Sequence, residues 1–122
     1  MILADTSVWA DHFHRPDPLL IRLLQSRMIM MHQFVMGELA IGNLSHRSDS
    51  LGILGQLPLA AVPRHDEVMY LIEDSQLFGC GLGFIDAHLL ASVLLTSGAQ
   101  LWTRDKSLRK IARQLSLEAD LA

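Results

Sequence analysis

Short apolar runs alternate along the chain with longer segments in which apolar residues recur every three or four positions. A short apolar run that stops at a polar residue is typical of a buried strand, and the longer spacing is typical of a helix. Strands separated by one or two helices indicate a parallel sheet covered by helices on both faces. We therefore predict an α/β fold with about five parallel strands, at Ile2–Ala4, Met28–Met31, Leu59–Val62, Gln100–Thr103 and, in short form, Leu117–Asp120.

Helices are predicted in the intervals between these strands. Asp17 and Pro18 form a typical helix start, because aspartate caps free backbone amides and proline suits the first helical position. The leucine-rich segments 19–24 and 51–57 each fit a helix. The remaining predicted helices are Thr6–Phe13, Gln33–Leu44, Asp66–Phe78, Ile85–Thr96 and Lys106–Leu115.

The composition restricts the class of protein. The chain has 122 residues, the length of one domain, and we expect a single domain over residues 1–122. Half of the residues are hydrophobic and the mean hydropathy is +0.27, yet no uncharged run approaches the ~18 residues that a membrane span needs. Met1 leads into strand-like residues without the pattern of a signal or transit peptide, so the expected compartment is the cytoplasm. The single cysteine, Cys80, excludes an internal disulfide and does not indicate a zinc site.

Three aspartates lie where the chain is expected to enter a helix. Asp5 follows the first strand and Asp105 follows a late one, so both lie past the carboxyl end of a strand, the edge where parallel α/β sheets bind ligands. Asp86 lies in the first turn of a helix that is apolar nearly all round and should pack flat on the sheet. The simpler interpretation of each aspartate is a helix N-cap, which stabilises a helix by ~1 kcal/mol.

Glu38 has no such capping role. Its neighbours three and four residues away include Phe34, Val35, Ile41 and Gly42, so a helix would place this carboxylate on an apolar face. Burying an ionised carboxylate is costly unless it is paired, and no basic residue lies within one turn. An arginine from elsewhere in the fold and a metal ion are the two partners that would explain it.

Four acids brought together need a cation. Oxygen ligands without cysteine or paired histidine suit hard cations such as Mg²⁺ or Mn²⁺. The corresponding chemistry is the attack of metal-activated water on a phosphodiester, with the metal stabilising the attacking and leaving oxygens. This reasoning predicts metal-dependent phosphodiester hydrolysis at a site made of Asp5, Glu38, Asp86 and Asp105.

Four short motifs, in order along nearly the whole chain, carry a family resemblance. They are Asp5-Thr6-Ser7, Glu38-Leu39-Ala40, Asp86-Ala87 and Thr103-Arg104-Asp105. With these motifs the chain resembles PIN-domain nucleases, particularly the VapC-type toxins of bacterial toxin–antitoxin pairs. The resemblance implies a three-layer α/β/α sandwich, a Mg²⁺- or Mn²⁺-dependent endoribonuclease, a homodimer, and a cognate VapB-like antitoxin that blocks the active site.

The resemblance also implies roles for individual residues. The fourth acid varies most among such proteins, so we expect Asp105 to act through water or to position its neighbours. By this resemblance the metal-binding and catalytic acids are Asp5, Glu38, Asp86 and Asp105, and the hydroxyls that support metal or phosphate are Ser7 and Thr103.

Basic residues are concentrated next to the fourth acid. The net charge of −3 gives no overall nucleic-acid signal, but five of the ten Lys and Arg residues lie within positions 104–113. They would form either an RNA-backbone contact beside the acids or a solvated helix face. His12, His14 and Arg15 could also contact RNA, although exposed side chains at a helix end are the simpler interpretation. The five basic residues are Arg104, Lys106, Arg109, Lys110 and Arg113.

Two other classes of function remain open. Receiver and haloacid-dehalogenase-like domains also place an acid after the first strand and transfer phosphate through it. The latter usually carry a second acid two residues on, where this chain has Ser7. A binding module that keeps the fold without the chemistry would retain four clustered like charges, which destabilise a fold. The apolar surplus, including parts of segments 19–24 and 51–57, would suit an antitoxin groove or a dimer contact.

Overall fold

The computed structural model describes residues 1–121 and has a parallel sheet at its centre. Strand β1 (Ile2–Ala4) lies between β2 (Ile29–Met30) and β3 (Gln100–Trp102), and both pairings are parallel. Every residue of these strands except Gln100 is buried, as expected for strands covered on both faces. The central strand is the one that leads directly into Asp5.

Seven helices connect the strands within the described part of the chain. They are α1 (Thr6–His14), α2 (Pro18–Gln25), α3 (Gln33–Ile41), α4 (Arg47–Leu54), α5 (His65–Asp74), α6 (Phe84–Leu95) and α7 (Lys106–Gln114). Helix α1 contacts β1 and α3, α5 contacts α6, and α6 contacts β3. The predicted α/β class with a parallel sheet is confirmed. No helix in residues 1–121 is long and apolar enough to cross a bilayer.

The two outer strands are shorter than predicted. Of Leu59–Val62 only Leu59 forms a parallel bridge, beside β2, and of Leu117–Asp120 only Glu118 does, beside β3. Prolines precede and follow the first segment, and proline cannot donate a hydrogen bond to a sheet. Within the described residues the sheet therefore has three strands, extended at each edge by a single bridge.

Two helices end earlier than predicted. Gln33–Leu44 ends at Ile41, and Asp66–Phe78 ends at Asp74. After the second of these, Gln76 has a positive φ of 55°, which turns the chain out of the helix. The predicted starts of both helices agree with the structure to within one residue.

A buried hydrogen bond joins α3 to α6. The Phe34 amide donates to His32 Nδ1 at 3.0 Å, which caps α3. Because Nδ1 accepts this bond, Nε2 carries the proton of the neutral ring and donates to Ser92 Oγ at 2.7 Å. The helices that carry Glu38 and Asp86 are thus held together through two fully buried side chains, His32 and Ser92.

Candidate active site at the carboxyl edge of the sheet

Asp5 is fixed by hydrogen bonds to both carboxylate oxygens. Oδ1 accepts from the Ser7 amide at 3.0 Å and from Ser7 Oγ at 2.5 Å, and Oδ2 accepts from Thr103 Oγ1 at 2.6 Å. The side chain is 6% exposed. Burial raises its pKa, and the bonds from Ser7 and Thr103 oppose that rise. Asp5 therefore caps α1, as the simpler interpretation held, and is also a rigid carboxylate at the end of the central strand.

The two predicted hydroxyls connect the end of β1 to the end of β3. Ser7 Oγ accepts from the Arg104 amide at 3.0 Å, and Thr103 Oγ1 accepts from the Asp105 amide at 3.0 Å. Each hydroxyl donates its single proton to Asp5, so the 3.5 Å approach of the two hydroxyl oxygens is not a further hydrogen bond in this arrangement. Ser7 and Thr103 thus hold the first acid and the loop that carries the fourth.

Glu38 is exposed, and the predicted apolar environment was wrong. The neighbours along the helix do not cover it, since Ile41 is 90% exposed and Gly42 has no side chain. Instead, Glu38 Oε1 accepts a hydrogen bond from Thr6 Oγ1 at 2.6 Å, which ties α3 to the first residue of α1. The desolvation argument for a metal at Glu38 therefore fails, and its place in the site depends on geometry and charge. Sequence reasoning missed Thr6, whose only signal was a hydroxyl beside Asp5.

Asp86 links the four acids electrostatically. It lies at the third position of α6, and its Oδ2 accepts from the Gly83 amide at 3.0 Å. Its pKa is raised first by burial and then by the negative charges of Asp105, Asp5 and Glu38, while the Gly83 amide opposes the rise. Since each of the other three acids acts on Asp86, the four predicted residues form one electrostatic site.

Asp105 lies at the exposed start of α7. Its Oδ1 accepts from the Leu108 amide at 2.9 Å, so it is the N-cap of that helix. The capping interpretation is correct for Asp105 as it is for Asp5, and in both cases capping coexists with membership of the acid site. Asp86 differs, because Gly83 is the cap of its helix and Asp86 reaches back to the cap amide.

The carboxylate oxygens of these acids are chemically suited to bind a hard cation. Glu38, Asp86 and Asp105 each hold one carboxylate oxygen in a hydrogen bond and leave the other without a partner among residues 1–121. Free carboxylate oxygens are the ligands that Mg²⁺ and Mn²⁺ prefer. As these side chains stand, no three His, Cys, Asp or Glu residues in the described part of the chain are grouped so that they could hold a metal ion. The charges of the four acids therefore interact, but the side chains are not arranged as a complete set of metal ligands.

Arg104 is engaged within the protein. Its guanidinium pairs with Asp11 at 2.6 Å and also with Asp17, the N-cap of α2. The Asp17 amide in turn donates to His12 Nδ1 at 3.0 Å. These contacts tie the end of β3 to the turn between α1 and α2, so they give Arg104 and His12 structural roles in this turn.

The other four basic residues lie on α7 and line a surface groove of 370 Å³. Arg109 and Arg113 pair with Glu118 at 2.9 and 2.8 Å, and these bonds lower the pKa of Glu118 to about 2. Lys106 and Lys110 have no ion pair within residues 1–121. Lys106 and Lys110 are therefore the basic residues of α7 whose charge is not paired within the described residues.

Two sets of known proteins are similar to this chain. The family model described as PIN domain matches residues 2–114, a range that contains all four acids. Ribonuclease VapC32 of Mycobacterium tuberculosis, in strain CDC 1551 / Oshkosh and in strain ATCC 25618 / H37Rv, is 46% identical over 109 residues. The match covers 89% of this chain and 88% of each relative.

Proposed function

The chain belongs to the PIN-domain family, and from this premise we propose that it is an endoribonuclease toxin of the VapC type that cleaves RNA phosphodiester bonds. The family match confirms the resemblance indicated by the four motifs. The observation that carries the proposed activity is the placement of the four acids, which lie close enough that the charges of the other three add to burial in raising the pKa of Asp86. The 46% sequence identity to a protein named as a ribonuclease, over 89% of this chain, supports RNA as the substrate.

We propose Mg²⁺ or Mn²⁺ as the cofactor, with Asp5, Glu38, Asp86 and Asp105 as the residues that would hold it. A bound divalent cation supplies positive charge that acidifies an attacking water and stabilises the leaving oxygen. Burial, followed by repulsion from the other three acids, raises the pKa of Asp86, and positive charge at this edge would relieve that repulsion.

The role of each acid would depend on how firmly its side chain is held in place. Asp5 is buried and fixed through both oxygens, so it orients what binds at the end of β1. Glu38 and Asp105 are exposed and each keep one free oxygen, so they can rotate towards a ligand. Lys106 and Lys110 on α7 would contact the RNA backbone.

The same geometry disfavours phosphotransfer through Asp5. A nucleophilic carboxylate needs an accessible oxygen that can approach phosphorus. Both oxygens of Asp5 accept hydrogen bonds and the side chain is buried. Asp5 is therefore poorly placed to attack phosphorus and receive a phosphoryl group.

A cognate VapB-like antitoxin and a homodimer are part of the proposal, as is action in the cytoplasm. A partly apolar groove of 570 Å³ lies between α5 and α6. Among the residues that line it are the exposed side chains of Tyr70, Leu94 and Leu95. Exposed apolar patches of this kind are typical of protein interfaces, so this groove supports a protein partner. The leucine-rich segments divide between core and surface, because Leu20 and Leu54 are buried in the core whereas Ile21 and Ile53 are exposed.

The test is cleavage of host RNA by the purified protein with Mg²⁺ or Mn²⁺, followed by mapping of the new 5′ ends. Asp5→Asn should lower cleavage by at least about a hundredfold, because removing one of several groups that act as a unit costs nearly as much as removing all. Asp49→Asn makes the same charge change on an exposed residue of α4 and should cut like the unmodified protein. The proposal fails if the unmodified protein cuts no RNA or if Asp5→Asn cuts equally well.

A further inference from the structure

A groove of 400 Å³ lies beside the acid site, between α1 and the turn that joins α3 to α4. Thr6 and Glu38, which are hydrogen-bonded to each other, line part of it, so the groove is continuous with the site. Phe13 lines another part and is 38% exposed. Its ring stacks on the buried Trp9 with centroids 6.0 Å apart, so the aromatic surface is well supported.

The polar side chains that line this groove are unpartnered. His14, Asn43 and Ser45 are exposed, and within residues 1–121 their side chains make no hydrogen bond or ion pair. Together they present an amide, a hydroxyl and an imidazole, which can both donate and accept hydrogen bonds. The groove therefore combines an aromatic surface with free hydrogen-bonding groups.

The turn that carries Asn43 and Ser45 is nevertheless held in place. Arg47 at the start of α4 donates to the carbonyl of Gly42 at 3.2 Å and to the carbonyl of Ala40. Ser50 Oγ donates to the Ser45 carbonyl at 3.2 Å. The backbone is thus fixed by side chains from α4 while the groove-lining side chains stay available, which is the arrangement of a preorganised recognition site.

We propose that this groove binds one unpaired nucleobase of the RNA substrate, next to the bond that is cut. Unpaired bases stack on aromatic side chains and are read along their edges by amide and hydroxyl groups. A neutral base fits better than a phosphate, because Glu38 would repel a phosphate at this end of the groove. The inference rests on the proposed function and assigns the subsite for one base to this groove.

Cleavage of a set of single-stranded oligonucleotides that differ only in the bases flanking the cut tests the subsite. Phe13→Leu keeps an apolar side chain but loses the stacking surface, so kcat/KM for the preferred base should fall roughly tenfold, mainly through KM. Asn43→Ala should reduce the preference between bases by a similar factor, roughly tenfold. Phe78→Leu makes the same substitution at an exposed aromatic ring that does not line this groove, and it should leave both values unchanged.

Unchanged base preferences in both groove variants would overturn the subsite, and so would a loss that is equal for every oligonucleotide. If the two variants weaken antitoxin binding and leave oligonucleotide cleavage as it was, the groove is a protein interface and the inference is wrong.

A binding measurement separates this inference from the proposed function. In EDTA, addition of a short single-stranded RNA should shift the NMR signals of His14, Asn43 and Ser45 in the unmodified protein, and Phe13→Leu should abolish the shifts. Absence of these shifts overturns the subsite even if the protein cuts RNA. If the shifts occur in a protein that cuts no RNA, the subsite stands and the proposed activity fails.

Discussion

His32 should make the stability of this protein depend strongly on pH. The ring is fully buried, with Nδ1 accepting from the Phe34 amide and Nε2 donating to Ser92. A second proton would have to go on Nδ1 and would break the cap of α3. Burial, followed by the nearby charge of His88, lowers the pKa of His32 to about 4 from its usual 6.5.

The direction of the effect follows from these two pKa values. Because the pKa is lower in the folded state, the unfolded chain takes up a proton first as the pH falls. The contribution of His32 to stability is therefore intact above about pH 6.5 and is lost progressively towards about pH 4. The loss amounts to about 2 kcal/mol between pH 7 and pH 5, and to about 3 kcal/mol by pH 4.

Urea unfolding of the unmodified protein and of His32→Asn, at several values between pH 7 and pH 5, measures this loss. Asparagine can still cap α3 but does not titrate, and every other ionisable group is common to both proteins. The variant should be less stable at pH 7, and the difference should shrink by about 2 kcal/mol at pH 5. A difference that changes by less than about 0.5 kcal/mol would refute the buried neutral histidine.

Three further variants separate the roles of charged residues at the sheet edge. Burial and like charges raise the pKa of Asp86, so its ionisation above about pH 4 opposes folding. Asp86→Asn should raise the melting temperature in EDTA and remove most of the increase that Mn²⁺ gives the unmodified protein. A metal-indifferent melting curve of the unmodified protein would contradict a cation site. Lys110→Ala should weaken RNA binding at all sequences and reduce the slope of log affinity against log salt by about 1, and an unchanged slope would exclude this contact. In urea titrations, Arg104→Ala should instead lower the free energy of unfolding by up to about 1 kcal/mol for each ion pair that it removes. The slope of log RNA affinity against log salt should stay unchanged, and a reduced slope would show that Arg104 contacts RNA.

Sequence reasoning located the acids because their positions relative to strands and helices are local features. Asp5 and Asp105 follow apolar runs and open helices, and the structure finds both as N-caps at the ends of neighbouring parallel strands. Parallel pairing alone then brings residues a hundred positions apart to the same edge. Local pattern and sheet topology were sufficient for these two residues.

The environment of Glu38 could not be predicted in the same way. Helical periodicity tells which residues share a face of one helix, but not what packs against that face. Ile41 shares the face and is almost fully exposed, and the actual partner of Glu38 is a hydroxyl that lies 32 positions earlier in the chain. For a similar reason the outer strands were too long, because pairing at a sheet edge depends on a single neighbour and on proline placement.

Three of the four acids lie at helix starts, and this explains how the fold keeps like charges close together. Asp5, Asp86 and Asp105 each lie at or within the first turn of a helix, where free amides and the positive end of the helix dipole favour a carboxylate. Glu38 lies in the middle of α3 and lacks this support, and its hydrogen bond comes from the hydroxyl of Thr6 and not from a helix amide. The hydrogen bonds that the three aspartates accept from backbone amides at the helix starts therefore also offset part of the repulsion among them. Burial, and after it the negative charges of the other three acids, still raises the pKa of Asp86, and a cation at the sheet edge would relieve the part that is due to repulsion.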